Sequence, residues 1–314
     1  MKNEFHKNRV KQSIPKHLRF TIDQFNAQFP DDNACLEYLK EQRMPGGITF
    51  CDRCQKERKH YRVTGRPAYA CDHCGSMVSP MAGTIFHKSP TSLRLWFYAM
   101  YLMSATRCGI SAKQIQRETG VTYKTAWRMF KQIRSLLSEP DMQLEGSAVE
   151  VDEAYIGGKA KNKHLGKRGG TGRSLDTKTP IFGMVERGGR VMAIVTPDAK
   201  ATTVLPIIAE KILPSSIVYS DTYSIYDNVG WMGKNYDHRR INHSEKVYVM
   251  GDIHTNSIEG FWSLLKRGIG GVYHSVSTKY LQTYCDEYSF RYNNRFSEKP
   301  MFTSILERVS ERAN

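Results

Sequence analysis

Ala148-Val149-Glu150-Val151-Asp152 is the stretch that decides how the second half of this chain folds. Its β-branched, apolar run predicts a strand, Ala148–Ile156, with a carboxylate toward its end. A second run of this kind, Ile217-Val218-Tyr219-Ser220, also closes on an aspartate, Asp221. A third acid, Glu259, opens a helix that continues through Phe261, Trp262 and Leu265 to Lys266. Two carboxylates at strand ends and one on a later helix can meet in space and hold hard divalent cations through oxygen. Such a group suits phosphodiester chemistry by two ions roughly 3.5–4 Å apart.

The individual residues leave choices. Glu150 shares a strand face with Asp152, and Glu153 points the other way. Asp152 is preferred because it lies nearer the strand's end. Helical spacing of 100° per residue sets Asn256, Glu259, Ser263 and Lys266 on one stripe and Ile258, Phe261, Trp262, Leu265 and Ile269 on a broad apolar one. Glu259 then projects from the polar edge of a well-anchored helix, with Lys266 two turns along and able to reach phosphate. Asn256 and Glu259 also fit an N-cap with its reciprocal N3 carboxylate, a purely structural alternative.

Around these acids the pattern alternates strand and helix. Pro180–Glu186 and Arg190–Thr196 read as a hairpin turning at Arg187-Gly188-Gly189, and Thr203–Ile212 as a helix. Gly157–Thr179, rich in Gly, Lys and Arg, reads as a mobile basic loop that contributes Lys159, Lys161, Lys163, Lys167 and Arg168 as DNA contacts. Ser277–Asn293 carries Tyr280, Leu281, Tyr284, Tyr288 and Tyr292 at helical spacing. His238, His243 and His254 fall in a polar stretch and are expected as surface or loop histidines.

The first half is organised differently. Residues 1–45 form a basic arm and short helices interrupted at Pro30, and Pro45-Gly46-Gly47 is a linker. In residues 46–80, Cys51-Asp-Arg-Cys54 and Cys71-Asp-His-Cys74 stand sixteen residues apart. Two thiolates from each knuckle complete the tetrahedral shell of a structural zinc ion, with no open position. A thioredoxin-like role would need a single such pair on a βα unit. His60, His73 and His87 are read as bystanders, and Cys35, Cys108 and Cys285 as core residues.

Residues 81–140 are helical. Leu93–Ser104 is apolar nearly all round and so buried. Ser111–Thr119 and Thr122–Leu137, separated by Gly120-Val121, have helix-turn-helix proportions. Lys124, Arg128 and Lys131 lie at i, i+4 and i+7 on an outer face of the second helix, as major-groove binding requires. A helical hairpin with a solvated basic face is the plain alternative.

Charge agrees with a nucleic-acid partner. The 314 residues hold 46 Lys+Arg against 31 Asp+Glu, a formal net charge of +15. The longest dense apolar run, Leu95–Met103, is nine residues, well short of the ~20 that span a bilayer. With a polar, basic N-terminus, the expected location is the bacterial cytoplasm, on the nucleoid, where these cysteines stay unpaired.

Taken together, Gly83-Thr84-Ile85-Phe86-His87, Val149–Lys159, His254–Arg267 and Phe290-Arg291-Tyr292-Asn293 resemble the DDE transposases of bacterial insertion sequences, above all the ISXO-like group with a zinc ribbon. The resemblance covers about residues 30–300. It implies a multidomain α+β chain: zinc ribbon and helix-turn-helix, then a ribonuclease-H-like mixed-sheet catalytic domain over 147–300. It also implies two Mg²⁺ or Mn²⁺ ions at Asp152, Asp221 and a third position, with Lys266 and Arg267 on DNA. Members carry Glu or Asn at that third position, so Glu259 and Asn256 both stand as candidates; the carboxylate binds a hard cation more strongly. The implied activity is recognition of terminal inverted repeats, metal-dependent cleavage and strand transfer, by a homo-oligomer on double-stranded DNA. A nuclease without strand transfer and a domesticated DNA-binding regulator are the rival readings.

Overall fold

Helix caps and a proline set the first elements. A computed structural model of the chain describes residues 19–106, 108–139, 141–145, 148–158, 178–241 and 254–311. The basic arm, His243 and the loop residues Lys159, Lys161, Lys163, Lys167 and Arg168 lie outside these. The chain divides into two compact units. One reaches to Leu136 and takes in the tail from Ser297; the other spans Leu137–Phe296.

In the first unit, α1 (Ile22–Gln28) starts with a capping box in which Thr21 and Gln24 bond each other's backbone N–H. Pro30 separates it from α2 (Asp32–Arg43), whose N-cap is Asp31. An antiparallel sheet in chain order follows: β1 (Ile48–Cys51), β2 (Lys56–Arg62), β3 (Tyr69–Cys71) and β4 (Met77–Val78). Next comes α3 (Leu93–Ala105), which buries Trp96, Phe97, Met100 and Met103. Its first turn is capped from a distance, because Asp32 accepts the N–H of Arg94 at 2.8 Å and the hydroxyl of Ser92 at 2.6 Å. The helix pair is α4 (Ala112–Thr119) and α5 (Tyr123–Ser135), joined through Gly120 at φ 70°, a conformation that glycine adopts without strain.

The second unit is a five-stranded mixed sheet: β5 (Ala148–Gly157), β6 (Lys178–Glu186), β7 (Val191–Val195), β8 (Ile217–Asp221) and β9 (Asp237–Ile241). Its order is β7-β6-β5-β8-β9, with β5, β6 and β7 antiparallel and β5, β8 and β9 parallel. That is the ribonuclease-H-like arrangement. α6 (Ala201–Lys211) carries the chain from β7 to β8, while α7 (Asn256–Gly268) and α8 (Thr278–Asn293) follow β9. The last helix, α9 (Met301–Glu311), belongs to the first unit, where it packs on α3.

Strand alternation sorts the core into two layers. Val149 and Val151 meet α6 through Val204 and Ile208, with Tyr226 beside them. On the other face Ala154 and Ile181 meet Ile258, Phe261, Trp262 and Leu265 of α7, backed by Leu281, Cys285 and Tyr288 of α8. The chain is therefore a multidomain α+β protein. Among the described residues no helix is long and apolar enough to cross a membrane.

Three expectations need correction. β9, Asp-His-Arg-Arg-Ile, is a fifth strand where the polar composition suggested loop. It is an edge strand held by backbone bonds to β8, and charged residues suit an edge. His238 accordingly sits on that strand, half-buried, with Nε2 2.9 Å from Ser220 Oγ, and burial pushes its pKa down. Cys35 and Cys285 are fully buried as expected, but Cys108 is exposed.

Candidate active site and metal-binding ribbon

Both cysteine knuckles are built alike. The N–H of Gln55 donates to Cys51 O at 2.8 Å, and that of Gly75 to Cys71 O at 3.1 Å. Both closing residues have positive φ, 53° and 70°. These turns bring Cys51, Cys54, Cys71 and Cys74 into one group whose ligand atoms all lie within 4.8 Å of one another. Cys51 Sγ is 3.5 Å from Cys74 Sγ, and Cys54 Sγ 3.9 Å from Cys71 Sγ. A tetrahedral zinc with bonds of ~2.3 Å sets sulfur atoms ~3.8 Å apart, so the donor set fits that ion. Without a cation the thiols hinder one another's ionisation: the neighbouring Cys74, then burial, pushes Cys54 up to about 12. His73 Nδ1 stands 3.7 Å from Cys54 Sγ.

The acids are placed by sheet register. β5 and β8 run parallel and pair as far as Glu150 opposite Tyr219. Asp152 lies two residues beyond Glu150, in the middle of its strand rather than toward its end, and Asp221 closes β8 two residues beyond Tyr219. Their mutual influence is electrostatic as well. Burial first, then the Glu153 and Asp221 carboxylates, push Asp152 up to about 7. The opposing influences are hydrogen bonds only, from the Glu153 backbone and from Trp262. A carboxylate so burdened with like charge is a natural cation ligand. Asp221 Oδ1 accepts the N–H of Tyr223 at 2.9 Å, which curls the loop after β8. Arg240 of β9 braces that loop, donating to Asp221 O at 3.4 Å, Tyr223 O at 3.1 Å and Asp227 Oδ1 at 2.7 Å.

α7 supplies the third side. Trp262, 4 % exposed, donates Nε1–H to Asp152 Oδ2 at 3.0 Å. It can lie there because Gly183, the partner of Asp152 across β6, has no side chain. A Cβ at Gly183 would sit 2.4 Å from the indole ring. Glu259, one turn before Trp262 on neighbouring helix positions, is exposed and accepts from Thr255 Oγ1 at 3.3 Å. Asn256 is the first residue of the helix and also exposed, and the N-cap is Thr255, without a side-chain cap bond. The structural alternative of an Asn256 cap is thus not realised. Lys266 and Arg267 stand exposed in the last turn. Among the described residues, Asp152, Asp221 and Glu259 do not form a group as tight as the cysteines.

On α5, Lys124, Arg128 and Lys131 are all exposed, while Ala126, Met129, Phe130 and Ile133 are buried. Spacing alone did not single out Trp262, Gly183 or Arg240. The signal for Trp262 was available only as a bulky residue three positions after Glu259.

Comparison with known proteins adds the family. Residues 143–293 match the model of the ISXO2-like transposase domain, and residues 30–77 that of the transposase zinc-ribbon domain. The chain is 29% identical over 272 residues to "Uncharacterized protein in transposable element ISH50" of Halobacterium salinarum, spanning 82% of this chain and 90% of that one. It is 34% identical over 120 residues to "Uncharacterized transposase-like protein" of Haemophilus influenzae, spanning 38% of this chain and 93% of that one. A chain in a pre-cleavage Mos1 transpososome aligns over 69% of this chain and 79% of its own, but 10% identity and a TM-score of 0.25 give that likeness no weight. By these matches, on the segments that hold the cysteine quartet and the acid-bearing sheet, the chain belongs to the ISXO2-like transposases and carries their zinc ribbon.

Proposed function

We propose that this transposase binds the terminal inverted repeats of its element, cuts phosphodiesters there and joins the freed 3′ ends to target DNA, with Asp152, Asp221 and Glu259 as the ligand set. The observation that carries the reading is Asp152 on β5 beside β8, the parallel strand that closes on Asp221, with Asp152 pushed up to about 7 by burial and by the Glu153 and Asp221 carboxylates. Bound there, two Mg²⁺ or Mn²⁺ ions supply an activated water and stabilise the leaving oxygen. Glu259 would complete the set from the first turn of α7.

The chain's own groups do the rest. Trp262 donates to Asp152 Oδ2 and so fixes the orientation of that carboxylate. Asp221 has one oxygen in its turn and one available. Lys266 and Arg267, Lys124, Arg128 and Lys131, and the loop residues Lys159, Lys161, Lys163, Lys167 and Arg168 contact phosphate, and α5 reads base edges. A structural zinc holds the ribbon. The protein acts as a homo-oligomer on chromosomal DNA in the cytoplasm.

The test is cleavage and strand transfer on DNA carrying the element's ends. Asp152→Asn and Asp221→Asn should abolish both while end binding stays within a few-fold. Glu259→Gln should behave likewise and Asn256→Ala should stay active; the reverse result would give Asn256 the third position. Cleavage without joining of pre-cut ends would make the protein a nuclease instead.

A further inference from the structure

We propose that Glu150 and Arg187 are positioning residues that set the spacing among the three acid-bearing elements; the inference rests on the ligand set proposed above. Glu150 is 0 % exposed, two residues before Asp152 on the same face of β5. Its Oε2 accepts the N–H groups of Ser257 and Ile258 at 2.8 and 3.0 Å. These are orphan donors of the first turn of α7, where Thr255 supplies no side-chain cap. Glu150 thus caps the helix of Glu259 from across the sheet, and a carboxylate at a helix N-terminus is favoured by the backbone dipoles.

Arg187 completes the clamp. Its Nε donates to Glu150 Oε1 at 2.9 Å, and its Nη2 donates to His254 O at 2.6 Å. Its guanidinium carbon lies 3.7 Å from the centre of the Tyr219 ring, the register partner of Glu150 and two residues before Asp221. His254 Nδ1 is 3.2 Å from Glu150 Oε1. One guanidinium therefore touches the strand of Asp152 through Glu150, the strand of Asp221 through Tyr219, and the chain entering the helix of Glu259 through His254. A buried ion pair adds little net stability over an apolar pair of the same shape, so its value here is geometric. The planar, multi-donor fork of arginine suits that task and the ammonium of lysine does not.

The test uses full-length Glu150→Gln and Arg187→Lys. Folding is followed by thermal unfolding, end binding by mobility shift, Mn²⁺ binding by electron paramagnetic resonance, and cleavage in Mg²⁺ and in Mn²⁺. Glu150→Gln keeps an acceptor oxygen and Arg187→Lys a charge, so both should fold and bind ends like the wild type. Misplacing a ligand by about 1 Å costs on the order of 100-fold, and cleavage in Mg²⁺ should fall by that factor. Mn²⁺ should restore about tenfold, because Mg²⁺ is the ion that demands near-ideal octahedral geometry. Mn²⁺ should also bind more weakly than to the wild type. Cleavage within threefold of wild type for both variants overturns the proposal, as does equal loss with both metals in proportion to lost folded protein. If the wild type shows no Mn²⁺ site that Asp152→Asn removes, the underlying ligand set fails, and the clamp fails with it.

Discussion

The ribbon and the acid-bearing sheet gather their side chains over very different lengths of chain. Each cysteine pair is made by four consecutive residues and closed by one backbone bond, and the two pairs are joined through a small antiparallel sheet. Asp152 and Asp221 come within electrostatic reach only because β8 adds in parallel to β5, after a hairpin and a helix have intervened. Glu259, the proposed third ligand, lies on a helix whose start is tied down by Glu150, more than a hundred residues earlier. A soft ion that closes its own shell can organise a small ribbon. A carboxylate site for hard ions has to be held in place by a core built beforehand.

This contrast can be broken most directly by removing metal. Strong chelation, or Cys71→Ser, should unfold residues 46–80, because structural zinc supplies ~10–16 kcal/mol that is folding energy. Depleting Mg²⁺ should leave the sheet of the second unit folded. Circular dichroism and limited proteolysis measure both, and a ribbon still protected after zinc loss would erase the distinction.

A smaller effect is expected from Gly183→Ala. The new Cβ would fall 2.4 Å from Trp262, so the indole must shift and release Asp152. Overpacking of this kind costs about 1–3 kcal/mol, seen as a lowered Tm, with cleavage lost more steeply than stability. Unchanged cleavage would mean that the Trp262 contact does not matter to the site.

pH should sharpen the comparison further. Asp152 is raised to about 7, so below that pH its proton competes with a cation, and above it the carboxylate is vacant. Divalent affinity should weaken by up to about tenfold per pH unit below that value, with proton uptake when the ion leaves. In metal-free protein the sign reverses: protonation relieves the buried charge, so Asp152 favours folding as pH falls from 8 toward 5. Asp152→Asn should flatten both trends in calorimetry. The smallest effects belong to Lys124→Ala, Arg128→Ala and Lys131→Ala. Each should reduce the salt slope of end binding by about one without altering folding.

The local devices were legible in the chain because short-range physics fixes them. Cysteine spacing foretold the ribbon, and Gly120 after an amphipathic octamer foretold the turn between α4 and α5. Apolar periodicity foretold the buried face of α7, Ile258, Phe261, Trp262 and Leu265. β9 was hidden, since an edge strand needs backbone pairing more than an apolar pattern. The cap of α7 was hidden too, since its carboxylate comes from another strand.

What the amino acids determined alone was most of the elements, β9 excepted, and the chemistry each could bear: thiolates in pairs, acids on strands, a basic outer face on a helix. Periodicity and turn chemistry act within a few residues and survive without tertiary context. Only the folded sheet decided which acid of Glu150 and Asp152 is tied to an arginine and which is left burdened by its neighbours. Register and burial set that choice, and both are properties of segments brought together from far apart in the chain.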